Sequence, residues 1–123
     1  MVAVVVSSVN RCVYCLASHS AAVRTLSGSA KLADVLGIDY RLADLSERQR
    51  AMLAFATKLT GAPGTMTRED LTPLRAAGLD DHAILELAQV VGMFNATNRI
   101  SSALGFVPND EYFALGRGEQ VNV

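Results

Sequence analysis

Tryptophan is absent from the 123 residues, proline occurs three times, cysteine twice, and positive charge is in no surplus. Each shortage excludes something. Eleven Lys and Arg against twelve Asp and Glu, net −1, leave no electrostatic footprint for a nucleic-acid backbone or an anionic membrane. The apolar run that opens the chain, residues 1–6, falls far short of the roughly 20 residues a spanning helix needs. No Lys or Arg precedes it and no long apolar region follows, so it does not read as a secretory signal. Two cysteines three positions apart would close too small a loop to staple a fold. What is present is 50% hydrophobic and 19% charged, enough to bury a core and too apolar for disorder. The expectation is one soluble, cytoplasmic domain spanning residues 1–123, with no nucleic-acid or membrane partner.

Apolar residues recur at helical spacing through most of the chain, which predicts an all-α bundle with short connections. The valine-rich residues 1–6 read equally as a strand or a fully buried helix. Asn10 is the expected N-cap of a helix carrying Cys12, Cys15, Leu16, His19, Ala22, Val23 and Leu26 on one side, closed by Ser27-Gly28. A short helix over 30–36 should stop at Gly37. Ser46 caps a third, turning Met52, Leu53, Ala56 and Leu59 inward until Gly61-Ala62-Pro63-Gly64 breaks it. Thr67-x-x-Asp70 has the form of a capping box before Leu71, Leu74 and Ala77, and Pro73 moves the regular part to a start at Thr72 as cap. Asp80 caps the longest helix, expected to reach Leu104 and stop at Gly105, and residues 110–115 add a final turn.

One constellation carries chemistry: Cys12-Val13-Tyr14-Cys15-Leu16-Ala17-Ser18-His19. At about 100° per residue, Cys15 lies about 60° from Cys12 around a helix axis, and His19 falls between them. Two thiols and an imidazole on one face are the parts a redox cycle needs: a nucleophile, a resolving thiol and a proton carrier. A thiol with pKa near 8.5 is only about 3% ionised at pH 7. Two effects decide which cysteine attacks. A helix N-terminus gives an exposed anion about 0.3–1 kcal/mol, about 2 when partly buried, and would favour Cys12. An imidazolium contact lowers a cysteine pKa by several units, and His19 stands one turn beyond Cys15. Cys15 is therefore the expected attacking thiol and Cys12 the resolving one. The alternatives are that all three are packed core residues, or that they bind a metal. Burying three reactive groups together makes a poor core. A structural zinc would want a fourth ligand, and only His82 remains. No cofactor and no metal site is expected.

Secondary candidates follow from the last long helix. Its stripe of Ile84, Leu87, Val91 and Phe94 continues into Asn95, Asn98 and Ser101. Buried asparagines need partners, so a structural hydrogen bond or subunit contact is favoured over an outlook onto the cysteines. Tyr14 reads as packing, and His82, Glu47, Arg48 and Arg50 as solvated. Glu86 is the acid to watch as a proton relay.

The stretch Ser7-Ser8-Val9-Asn10-Arg11-Cys12-Val13-Tyr14-Cys15-Leu16-Ala17-Ser18-His19-Ser20 resembles the signature of the alkylhydroperoxidase AhpD-like, or carboxymuconolactone decarboxylase-like, family, in its peroxidase-related branch. Phe94-Asn95-Ala96-Thr97-Asn98-Arg99-Ile100, Ala103-Leu104-Gly105 and Leu45-Ser46-Glu47-Arg48-Gln49-Arg50-Ala51-Met52-Leu53 are similar to further parts of it. The resemblance implies an all-helical fold that forms homo-oligomers, and a peroxide-reducing or thiol-disulfide activity drawing on a dithiol or protein reductant. It also implies Cys15 as peroxidatic, Cys12 as resolving, and His19 in proton transfer. It makes a helix the better reading of residues 1–9. A family relay glutamate would fall, by register, immediately before Met1, and a further helical segment ahead of that. Thiol activation without that glutamate is expected to be incomplete, and the apolar start to be exposed and to seek a partner subunit. Acid–base lactone decarboxylation and a non-catalytic redox-sensing module are the competing functions.

Overall fold

The valine-rich start of the chain is a helix, and it lies at the centre of the molecule. In the computed structural model, which describes residues 1–118, the α-helices are α1 (Val2–Val9), α2 (Val13–Ser27), α3 (Ala30–Asp39), α4 (Glu47–Gly61), α5 (Thr72–Ala76), α6 (Asp81–Ala103) and α7 (Glu111–Ala114). Three short 3-10 turns complete them, and no strand occurs among the described residues. None of these helices is long and apolar enough to cross a membrane.

α1 packs against α2, α3, α4 and α6. Val4 and Val5 face a cluster with Leu36, Ala43 and Leu53, while Val6 faces a second with Phe55, Ala56, Leu74, Leu79, Ile84, Leu87 and Val91. A helix apolar on all sides is a buried helix. Fully burying one valine gains about 1.5–3 kcal/mol, against a helix-propensity cost of at most about 0.7. Packing wins, and the expected exposed apolar stub does not exist: Val4 and Val6 are wholly buried.

Most helix starts follow the sequence. Ser46 and Gln49 form a reciprocal capping box on α4, and Asp80 accepts from the backbone of Ala83 at the start of α6. Thr67 and Asp70 also form a capping box, but on the 3-10 turn Arg68–Leu71. Thr72 is then the first residue of α5, with Leu71 as its N-cap, and Pro73 sits in the first turn, where no intrahelical donor is lost. The long helix ends on Leu104 as cap, close to the expected stop.

Three further expectations change. Gly37 does not stop α3, which runs on to Asp39. It packs inside the helix, where a Cβ would make only an ordinary contact with Leu16 at 3.5 Å, and its carbonyl accepts from Ser8 at 2.6 Å. Asn10 does not cap α2; it caps the C-terminus of α1. Arg11 then takes a left-handed φ of 52°, and Cys12, extended, becomes the N-cap of α2. Farther along α2 the inward side is Ala17, Ala21 and Arg24, not Ala22 and Leu26, and Leu26 is 88% exposed. The cause is α7. Buried Arg24 donates from Nε to the Leu115 carbonyl at 2.7 Å and from Nη2 to that of Tyr112. Gly116 rests on the Arg24 backbone so closely that a Cβ would fall 2.6 Å from Arg24 Cβ, and its φ of +74° also calls for glycine.

Candidate active site

The α1–α2 junction puts both sulfurs where the sequence wants chemistry. Left-handed Arg11 turns the chain so that the Cys12 amide donates to the Ser7 carbonyl at 3.0 Å, and the Leu16 amide donates to Cys12 at 2.8 Å to open α2. Cys12 is thus the cap, with no hydrogen bond from its side chain to the first turn, and Cys15 the third helical residue, so both sulfurs lie within the first turn where the field of the helix N-terminus acts. This revises the contest between the two thiols, because the helix terminus no longer favours Cys12 alone. Both are free and buried.

The wall opposite is the C-terminal half of α6. The Cys15 thiol donates to Ser101 Oγ at 3.5 Å. Asn98, 1% exposed, donates from Nδ2 to Ser7 Oγ at 3.1 Å, and its Oδ1 accepts from Asn10 Nδ2 at 3.0 Å. Asn10 bridges on to Asn95 Oδ1 at 2.9 Å; Asn95 in turn donates to Thr60 at 3.0 Å and accepts from Arg99 at 2.8 Å. Among the described residues no buried side-chain nitrogen or oxygen is left without a partner. Asn95 does the structural work expected of it. Asn98 and Ser101 combine that work with the less favoured alternative, since both act on the Cys15 sulfur.

Electrostatics reverse one expectation. Burial pushes the Cys15 thiol up, the hydrogen bond with Cys12 pushes it further, and Ser101 and Asn98 pull it back. The imidazole is not among these influences. His19, half-buried, lays its ring edge-to-face on Phe94, with centroids 5.0 Å apart, and no hydrogen bond joins it to either sulfur among the described residues. Burial holds its pKa below 6.5, and the Met1 amino group adds to that, so the ring is neutral at pH 7. It is a base ready to accept a proton, not a fixed cation. Cys12, Cys15 and His19 share one helix and one side of the molecule without converging as a ligand set, and no cluster of metal-binding residues occurs among those described.

The other candidates sort themselves by place. Tyr14 packs edge-to-face on Phe106 and Tyr112, at 5.6 and 6.3 Å. Glu86 is no relay: it lies on the solvent side of α6, 3.8 Å from exposed His82 and about four turns from Ser101. Arg48 and Arg50 are exposed but clip the carbonyls of Gly78, Arg41 and Ala43. Sequence reasoning missed Ser7, Thr60 and Arg24. A serine inside a valine run was the available signal for Ser7; Arg24 and Thr60 carried none, because both are buried by neighbours distant in sequence. A pocket of about 200 Å³, lined by Arg11, Cys12, Tyr14, Ser101 and Phe106 among others, opens beside the pair.

No family model matches the sequence, and no curated protein does. Solved structures do. The crystal structure of an uncharacterized peroxidase-related protein from Silicibacter sp. TM1040 matches with a TM-score of 0.92 at 48% identity, over 94% of this chain and 61% of that one. An alkylhydroperoxidase AhpD core, an uncharacterized peroxidase-related protein from Ralstonia eutropha JMP134, matches at 0.90 with 34% identity, over 97% and 63%. The chain therefore spans somewhat over three fifths of the length of each. Shared helical architecture along nearly all of its own length, at such identity, gives the chain the all-α fold of these AhpD-like, peroxidase-related proteins.

Proposed function

We propose that the protein is a thiol-dependent peroxidase or disulfide oxidoreductase in which Cys15 attacks, Cys12 resolves and His19 assists proton transfer. The observation that carries this reading is the placement of two free, buried thiols at the start of one helix, with one of them hydrogen-bonded to a polar wall. The Cys15 thiolate attacks one peroxide oxygen; the O–O bond breaks, sulfur becomes a sulfenic acid, and the departing alkoxide takes a proton to leave as alcohol. Cys12 sulfur then displaces hydroxide from the sulfenic acid, giving a disulfide and water. A dithiol reductant returns two electrons and two protons. Neutral His19, one turn beyond Cys15, is suited to carry protons in these steps.

The test is peroxide consumption with a dithiol as electron donor. Wild-type protein turns over many equivalents and accumulates a Cys12–Cys15 disulfide when the donor is withheld. Cys15→Ser falls to the protein-free background; turnover surviving in that variant ends the proposal. A second reading has its own support in the burial that holds Cys15 mostly as thiol. Such a slow sulfur suits a redox-sensing module, which would consume one equivalent of peroxide and stop even with donor present.

A further inference from the structure

The attacking sulfur needs a device that favours its anion, and among the described residues the imidazole makes no hydrogen bond to it. The groups acting on Cys15 are Cys12 on its own helix and Ser101 and Asn98 on α6. From α1 the nearest part of the network is Ser7, also uncharged, and Arg99 turns away to Asn95. The α6 wall thus supplies dipoles and no charge, and Arg11, which lines the adjoining pocket, is exposed and is not among the groups that move the Cys15 thiol.

Those dipoles are aimed. Asn98 is fixed at both ends of its carboxamide: the oxygen accepts from Asn10, and the nitrogen donates to Ser7. Asn10 is itself held between two carboxamide oxygens, those of Asn95 and Asn98. A carboxamide whose oxygen already accepts is polarised into a better donor at nitrogen. Ser101 Oγ lies 3.5 Å from the sulfur and accepts the thiol proton in the resting state. Once that proton leaves to water in the pocket that Ser101 and Cys12 both line, the hydroxyl can rotate and donate back to the sulfur.

We propose that Ser101 and Asn98 form an anion hole for the Cys15 thiolate, held in register by the Ser7–Asn10–Asn95 hydrogen-bond ladder. This rests on the reading of Cys15 as the attacking thiol. The residues serve the nucleophile before bond formation, and the sulfenic acid afterwards finds the same hydroxyl and amide as partners. The arrangement does with oriented neutral donors what a neighbouring cation does elsewhere, and it works in a buried site because charge-assisted hydrogen bonds are strong there.

The measurement is the rate of Cys15 alkylation by iodoacetamide against pH, with the modified cysteine located by fragment-ion mapping. Ser101→Ala should move the midpoint up by about one pH unit and slow labelling about tenfold at pH 7. Ser101→Thr, which keeps the hydroxyl, should restore both. Asn98→Asp, which sets a carboxylate where the amide donor stood, should raise the midpoint at least as far. An unchanged midpoint in folded Ser101→Ala overturns the proposal, and if that variant does not fold, Ser101→Cys, similar in shape and a weaker donor, is held to the same criterion. Loss of peroxide turnover in Cys15→Ser with an unmoved Ser101→Ala midpoint defeats the anion hole alone. Turnover that survives Cys15→Ser defeats the function, whatever the midpoints show.

Discussion

The first half of α6 and its second half present the same face to the rest of the molecule and do different work. Ile84, Leu87 and Val91 bury hydrocarbon against Val6, Phe55, Ala56 and Leu74. One turn later the face becomes Asn95, Asn98 and Ser101, which bury amide and hydroxyl against Asn10, Ser7 and Cys15. The apolar half is held by area removed from water, a force without direction. The polar half is held by directed bonds, each modest in net stability and costly to leave half-made. A core tolerates the second kind only when complete, and here it is complete. The division shows how a small helical protein can place two thiols inside itself: one end of the helix supplies apolar burial, the other supplies polar partners.

Substitutions should keep the two halves distinct. The largest effect on stability belongs to the apolar half, where Leu87→Ala should cost about 2–5 kcal/mol in chemical denaturation while leaving the Cys15 alkylation midpoint in place. Asn98→Leu should cost about 1–3 kcal/mol by orphaning Asn10 and Ser7, and unlike Leu87→Ala it should also move that midpoint. Arg24→Met acts on neither half; it removes two charged bonds to the carbonyls of Tyr112 and Leu115. It should speed amide exchange around α7 far more than it lowers global stability.

His19 and Phe94 stand at the border between the halves, and there the effect is one of pH. The folded ring is harder to protonate than the unfolded one, so the unfolded chain binds more protons once pH drops below about 6.5. The stability His19 contributes is full above that value and is lost as pH falls through the depressed folded pKa. His19→Asn should flatten the stability profile over that window, whereas an unchanged profile would mean the ring is better solvated than its contact with Phe94 implies. The smallest effect belongs to the outer face of α6: Glu86→Gln, on an exposed pair with His82, should shift stability by no more than about 0.5 kcal/mol and leave peroxide consumption unaltered.

Much of this was legible along the chain. Helical spacing showed the all-α class, and capping residues such as Ser46 and Asp80 marked their helix starts. The cysteine motif marked the start of α2, where Cys15 meets Ser101, and His82 was read correctly as a surface residue. Residues 1–6 were ambiguous because valine runs suit a strand and a buried helix alike, and what decides is whether neighbours surround them. Asn10 was misplaced because an asparagine between two helices can end one or begin the other. Its side chain is recruited across 85 residues by Asn95, and Arg11 absorbs the turn.

Pattern fixed what depends on near neighbours: the helices, their caps, and two thiols brought within a turn of each other by a three-residue step. Assembly settled what depends on distant ones. It surrounded α1, set Arg24 rather than Leu26 inward, laid His19 on Phe94, and gave Cys15 a serine and an asparagine for company. Helical periodicity reaches one or two turns, whereas burial and hydrogen-bond partnership are properties of whichever surfaces happen to meet.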